Sequence, residues 1–303
     1  MADLEGYVYY AHLKPSIGRQ AMAGTDWMRP DPGLIERPPI DLQTDRPHSA
    51  RVYDYLLGGK DNFPADRAVA EADLRANPAS RVGPRQNRAF LRRAVRFLAA
   101  EAGIRQFLDV GTGIPTSPNV HEVAQSVAPS SRIVYVDNDP IVLAHARALL
   151  ASRPEGRTQY IDADLRQPEL ILTSAQLRET LDLERPMALL VFATMHLVPD
   201  ELDPYGIVAR LVDALAPGSY LALSQITADF APEAWERTIQ IAGRGGVTMR
   251  PRARTDIDHY FTGLEVVEPG LQVVHRWRPD PDEKPDEIPD ALVSMYGGVA
   301  RKP

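Results

Sequence analysis

The sequence predicts an α/β protein built on a doubly wound, mostly parallel sheet. Three observations carry that prediction. From residue 104 onward, short apolar runs alternate with stretches of helical periodicity. The run 188–193 is apolar almost throughout, as a strand covered by helices on both faces should be. The strand–helix junctions carry glycines and acids, at the end of the strands where a doubly wound sheet binds its ligand.

The elements follow in order. The first strand, 106–110, runs into Gly111-Thr112-Gly113. Ser117-Pro118 then reads as an N-cap with proline at the first helical position, and Val120, Val123 and Val127 give that helix a buried stripe. The second strand, 132–136, ends at Asp137-Asn138-Asp139-Pro140, and Ile141, Ala144 and Ala148 share a face of the next helix. A third strand, 159–161, leads into Asp162-Ala163-Asp164. The fourth strand is followed by a helix with Ile207, Val208, Leu211, Val212 and Leu215 in register. Pro217-Gly218 turns the chain into a fifth strand, 220–225. The acidic, Pro-rich segment 279–289 reads as an exposed loop before a last strand, 294–300. This alternation is Rossmann-like, closed by an antiparallel final strand.

Residues 41–100 read as a basic helical segment that serves as a lid. Phe90, Ala94, Phe97 and Leu98 form one apolar helical face; Arg88, Arg92, Arg93 and Arg96 fall mostly on the others and read as solvated. Residues 1–40 lack sustained periodicity and end in a Pro-rich run. They read as a poorly ordered extension, with Met22 and Met28 as alternative starts. The ligand-binding domain is then 101–303.

Composition excludes several classes of function. The 303 residues contain no cysteine, which removes disulfides, thiolate metal sites and cysteine nucleophiles. Asp plus Glu outnumber Lys plus Arg, 41 to 34, and the net charge of −7 argues against nucleic acid as a partner. No run reaches the roughly 18 apolar residues that span a bilayer, and the acidic N-terminus does not resemble a signal peptide. The expectation is a cytoplasmic protein with no membrane partner.

The first junction is the most informative. Glycines at 111 and 113 allow a ligand close to the backbone, but Thr116 stands where a dinucleotide fingerprint needs its third glycine. Asp109, two residues before the glycines, suits a ligand bearing a cation. Asp137 ends the second strand where a carboxylate can accept both hydroxyls of a ribose, leaving Asp139 to cap the following helix. Asp162, Ala163 and Asp164 offer carboxylates and a backbone N–H to an adenine edge. Rival motifs fail on spacing. His121-Glu122 lacks a second histidine at position 125, Gly58-Gly59-Lys60 is followed by Asp61 rather than Ser or Thr, and no Gly-x-Ser-x-Gly occurs.

These residues resemble the class I S-adenosylmethionine-dependent methyltransferases, whose fold is a seven-stranded Rossmann-like sheet. The resemblance implies S-adenosyl-L-methionine as cofactor, with Asp109 and the loop Gly111-Thr112-Gly113 beside its methionine part. It implies Asp137 at the ribose with Asn138 next to it, and Asp162, Ala163 and Asp164 at the adenine. Thr194-Met195-His196-Leu197-Val198-Pro199 and Ala216-Pro217-Gly218 are similar to the motifs after the fourth strand and before the fifth. Ser219 departs from the second glycine that many members carry. The segment from Ser49 to Phe63, with Arg88 to Val95 and Trp277-Arg278-Pro279, resembles an actinobacterial S-adenosyl methyltransferase family first catalogued as a domain of unknown function.

The expected reaction is methyl transfer to an oxygen or nitrogen of a small molecule. His196 is the candidate general base, with packing against the cofactor as the competing role. Tyr53 is a candidate to stack on adenine or substrate, with helix packing as its competitor. Asp54 and Lys60 belong to the same glycine-containing segment, and His259 and Tyr260 are weaker candidates. Two other functions compete: a non-catalytic cofactor-binding regulator, and a nucleic-acid methyltransferase. Against the latter, Ala193-Thr194-Met195-His196 stands where an amino-nitrogen enzyme acting on DNA or RNA would carry an Asn/Asp-Pro-Pro-aromatic string.

Overall fold

A computed structural model describes residues 42–149 and 152–303, with the side chains of 146–149 left aside. The expected N-terminal extension and the alternative starts at Met22 and Met28 lie outside the described residues. Three helices come first: α1 (Ser49–Leu57), α2 (Pro64–Ala76) and α3 (Val82–Ala100). The alternating unit follows as β1 (Gln106–Val110), α4 (Val120–Val127), β2 (Arg132–Asp137), α5 (Pro140–Leu149), β3 (Arg157–Asp162), α6 (Pro168–Thr173), α7 (Ala175–Thr180), β4 (Ala188–Phe192), α8 (Pro204–Asp213) and β5 (Tyr220–Ile226). The chain closes with α9 (Pro232–Arg244), α10 (Arg254–Asp258), β6 (Glu265–Val266), β7 (Gln272–Val273), α11 (Asp290–Val293) and β8 (Met295–Arg301). Among the described residues no helix is long and apolar enough to cross a membrane.

The strand order is β3-β2-β1-β4-β5-β8-β6, with β7 also on β8. The first five strands run parallel, and β8 pairs with β5 in the opposite sense. The sheet is therefore Rossmann-like and mostly parallel, but it has eight strands rather than seven. The outer edge is split in two: β6 pairs Glu265 with Arg301, and β7 pairs Gln272 with Gly297. Pro269 has no N–H for a ladder, and Gly270, at φ 86, turns the chain between the two pieces. Strands β1 and β4 are buried at every residue, as parallel strands under helices on both faces must be.

Three local expectations change. Helix α4 begins at Val120, not at Pro118, with Asn119 as its N-cap and the Glu122 carboxylate accepting the Asn119 N–H. Residues 116–118 stay in the loop because the Arg88 guanidinium donates to the Thr116 and Pro118 carbonyls. Val120 and Val123 are buried, but Val127 is 39% exposed. Among the described side chains of α5 the buried ones are Ile141, Val142 and Leu143, while Ala144 faces solvent and the Ala148 side chain lies outside the described set.

Of the α3 arginines read as solvated, Arg96 is exposed, Arg88 and Arg92 are partly buried, and Arg93 is buried. Arg93 is 2% exposed and donates to the Val274 and Trp277 carbonyls at 2.7 and 2.9 Å and to Glu283 at 2.7 Å. Arg92 bridges Asp280 and Glu283, and Arg96 pairs with Asp280. The acidic loop thus docks on α3 through Asp280 and Glu283 while its other acids stay exposed. Phe90, on the same helix, meets Phe192 and Trp277 edge-on, which fixes α3 against the sheet.

Candidate functional site

The carboxyl ends of β1, β2, β3 and β4 open onto one cavity of about 360 Å³, a size suited to a small molecule. Gly111 (φ 74) and Gly113 (φ 68) both adopt left-handed backbone there. A Cβ on Gly111 would lie 2.4 Å from Thr194 Cγ2, so the β1 and β4 loops can touch only without a side chain at 111. Nothing lies within 4 Å of a Cβ built on Gly113, leaving open space beside that loop.

Two buried carboxylates line this end. Asp109 accepts from Thr112 Oγ1 at 2.7 Å, and burial pushes its pKa up to about 6; nearby Arg88 opposes that shift and Asp137 adds to it. Asp137 accepts the Gly113 N–H at 2.8 Å and the Asp139 N–H at 2.9 Å, yet burial still raises its pKa. Asp139 caps α5 through the Ile141 N–H at 2.9 Å. Burial works against its ionisation, but His48, the Ile141 N–H and Arg51 outweigh it and hold the carboxyl below its ordinary range.

At the β3 end the side chains fall differently from expectation. Asp162 points away: it is exposed and absent from the cavity wall. The Ala163 N–H is committed to the Asp137 carbonyl at 3.1 Å, continuing the sheet ladder. Ala163 and Asp164 do line the cavity, as does Asn138, which donates to Asp164 at 3.4 Å. Arg166 pairs with Asp164, and this is the main reason the Asp164 pKa falls. Among the described residues the N–H groups of Asp164 and Leu165 make no bond, so they are the backbone donors left at this edge.

The β4 end supplies Thr194, His196 and Val198. His196 is 6% exposed, and neither ring nitrogen has a partner among the described residues; Nδ1 is fully enclosed. Burial first, and the charge of Arg252 second, push its pKa down to about 3. Arg252 is itself buried, donating to the Met195 and Val198 carbonyls at 2.8 and 2.9 Å and to Asp200 at 2.7 Å. It holds the β4 loop from behind, while Val247 and Met249, in the segment after α9, form a further wall.

The N-terminal helices complete the enclosure. Tyr53 lines the cavity, donating to the Pro84 carbonyl at 3.2 Å and accepting from Asn87 Nδ2 at 3.0 Å. Asn87 in turn accepts from Ser224 Oγ at 2.6 Å, tying α3 to β5. Arg51 lies 3.2 Å from Asp139 and 3.8 Å from Asp66, and His48 lies 3.0 Å from Asp139, so α1 is anchored to the start of α5. Asp54 also lines the cavity, held by Asn62 Nδ2 at 2.8 Å and the Asp61 N–H at 3.0 Å. Lys60 is exposed and outside it. His259 and Tyr260 pack on Tyr205, also away from it. Sequence reasoning missed Arg88, Asn87, His48 and Arg252. No local pattern distinguishes these residues from surface residues; only the arginine-rich helix hinted at the first.

A sequence model described as S-adenosyl methyltransferase matches residues 36–303. The chain belongs to the S-adenosyl methyltransferase family. Among solved structures this methyltransferase-family chain is similar to a DUF574 family protein from Streptomyces avermitilis. The two share 54% identity with a TM-score of 0.85, covering 87% of this chain and all of that one. It is also similar to a candidate methyltransferase from Thermobifida fusca at 42% identity and TM-score 0.80, covering 88% and 98% of the two chains. No curated protein matches it. The family's cofactor is S-adenosylmethionine, and the cavity's chemistry fits that group. Two buried carboxylates face space beside a glycine loop, and among the described residues Asp109 has no side-chain ion pair, as a site for a cationic ligand requires.

Proposed function

We propose that this family member transfers a methyl group from S-adenosylmethionine to an oxygen or nitrogen of a small molecule. The observation that carries the reading is one continuous cavity, lined at one end by Asp109 and Asp137 and at the other by the unpartnered His196. When bound, S-adenosylmethionine supplies a methyl already activated by its sulfonium. The chain's task is then to align an acceptor and exclude water.

In this reading Asp137 meets the ribose hydroxyls and Asp109 the positive charge of the methionine part. Arg88, charged and close to Asp109, serves a carboxylate at the same end. The Asp164 and Leu165 N–H groups, rather than that of Ala163, serve the adenine edge. His196 holds the acceptor by a hydrogen bond as a neutral ring. With a pKa near 3 it is a poor proton acceptor at neutral pH, so orientation replaces the general-base role expected from the sequence. The net charge of −7 places a small molecule ahead of nucleic acid as acceptor.

The test is calorimetric titration with S-adenosylmethionine, S-adenosylhomocysteine and NAD, followed by transfer of a labelled methyl group to a small-molecule extract. Micromolar binding of the two sulfur ligands, none of NAD, and a labelled small product are expected. Binding without any labelled product would instead favour a cofactor-binding regulator, and a nucleic-acid-dependent label would redirect the acceptor class.

A further inference from the structure

We infer that the β4 end of the cavity takes an uncharged acceptor with a mostly apolar skeleton, its single nucleophilic hydroxyl or amine hydrogen-bonded to His196. The inference rests on the methyl-transfer reading and narrows its substrate class.

The walls at this end are mostly apolar: Leu91 from α3, Phe192 and Val198 around the end of β4, and Val247 and Met249 from the segment after α9, with Thr194 and Thr248 among them. Among them stands a buried imidazole with no hydrogen-bond partner among the described residues. Nδ1 is enclosed, so Nε2, which also makes no bond among the described residues, is the ring nitrogen left for a ligand in the cavity that His196 lines. Through Nε2 a neutral imidazole offers one donor or one acceptor, and a hydroxyl or a neutral amine can take the matching role.

The charged groups around the cavity are already engaged. Arg252 donates to two carbonyls and Asp200, and Arg88, beside Asp109, belongs to the cofactor end. His48 is paired with Asp139 and Asp164 with Arg166, while Asp54, bonded to Asn62 and the Asp61 N–H, stands on α1 away from β4. Asp109 and Asp137 belong to the cofactor end. A charged acceptor would therefore be desolvated at the β4 end without a counter-charge, and burial in that condition is heavily disfavoured.

The experiment uses the full chain saturated with S-adenosylhomocysteine and titrated with 1-naphthol, 1-naphthoate and 1-naphthylmethylammonium. Binding of 1-naphthol at least tenfold tighter than either ion is expected. Met249→Glu should reduce 1-naphthol affinity at least tenfold while leaving S-adenosylhomocysteine affinity unchanged, with Met249→Gln as the check if the charged variant misfolds. His196→Leu should erase the preference for 1-naphthol over naphthalene. Equal or tighter binding of either ion, or no binding of 1-naphthol, overturns the inference. Failure to bind S-adenosylhomocysteine at the outset overturns the methyl-transfer reading instead, so the two failures are distinct.

Discussion

Asp137 Oδ2 accepts the Gly113 N–H at 2.8 Å, so the carboxylate ending β2 also shapes the glycine loop that leaves β1. Its other oxygen takes the Asp139 N–H at 2.9 Å. One side chain thus sets the geometry of two loops at the carboxyl edge of the sheet and still faces the cavity.

Asp137→Ala should lower S-adenosylhomocysteine affinity tenfold or more, because it removes both a loop support and a charged acceptor for ligand hydroxyls. Asp137→Asn, which retains an acceptor oxygen for Gly113, should lose less. Calorimetry decides, and unchanged affinity in the alanine variant would remove Asp137 from the ribose role.

Asp109 makes a pH prediction. Its pKa in the folded protein, about 6, lies above the ordinary 3.8, so between these values the native state holds the proton more tightly than the unfolded chain. The stabilisation is complete below about pH 4 and is lost as the pH rises through 6. Asp109→Asn should therefore gain on the parent as the pH rises from 4 to 7, by on the order of 2 kcal/mol in urea unfolding. The same variant should bind S-adenosylmethionine more weakly. A constant difference between the two proteins across that range would contradict the shift.

His196 has the opposite sign. Its folded pKa, about 3, lies below the ordinary 6.5, so its contribution is present above pH 6.5 and lost as the pH falls toward 3. The ring should stay neutral by NMR until acid unfolding, and its titration should leave no inflection near pH 6.5 in methyl transfer. Titration of His196 near neutrality would restore it as a general base.

Gly111→Ala combines a disfavoured φ of 74 with a Cβ placed 2.4 Å from Thr194 Cγ2. We expect a loss of about 2 kcal/mol or more. Thr194→Gly in the same chain should recover the steric part and leave the backbone part, which denaturant unfolding of the single and double variants can separate.

Arg51→Met leaves Asp66 and Asp139 buried with less compensation, since Arg51 lies within 4 Å of both. A loss of about 3 kcal/mol is expected, even with His48 still beside Asp139. Weaker S-adenosylhomocysteine binding should accompany it, because α1 covers the cavity from that anchor. A variant as stable as the parent would show that the pair contributes nothing net.

Much of this protein is legible without its structure. The alternation of apolar runs and helical periods places β1 to β5 and the closing strand within a few residues, because burial of a strand or a helix face is written in the spacing of chain neighbours. Gly111, Gly113, Asp109 and Asp137 are readable for the same reason: each stands at a junction whose position follows from the strand before it.

Tertiary structure alone decided the rest. Asp162 and Asp164 are two residues apart and chemically identical, yet only the second reaches the cavity; where the strand ends determines which carboxylate turns inward. The arginines of α3 look like one solvated stripe, but Arg93 is buried against carbonyls and Glu283 some 181 to 190 residues away. His196 reads in the sequence as a base or as a packing residue, and its pKa is depressed by burial first and by the charge of Arg252, 56 positions on, second. Periodicity and turn chemistry are local, so the sequence by itself determined the alternating strands and the glycines and carboxylates at their ends, but not the eighth strand or the split edge. Partner choice and proton affinity depend on contacts between distant segments, and those exist only once the chain is folded.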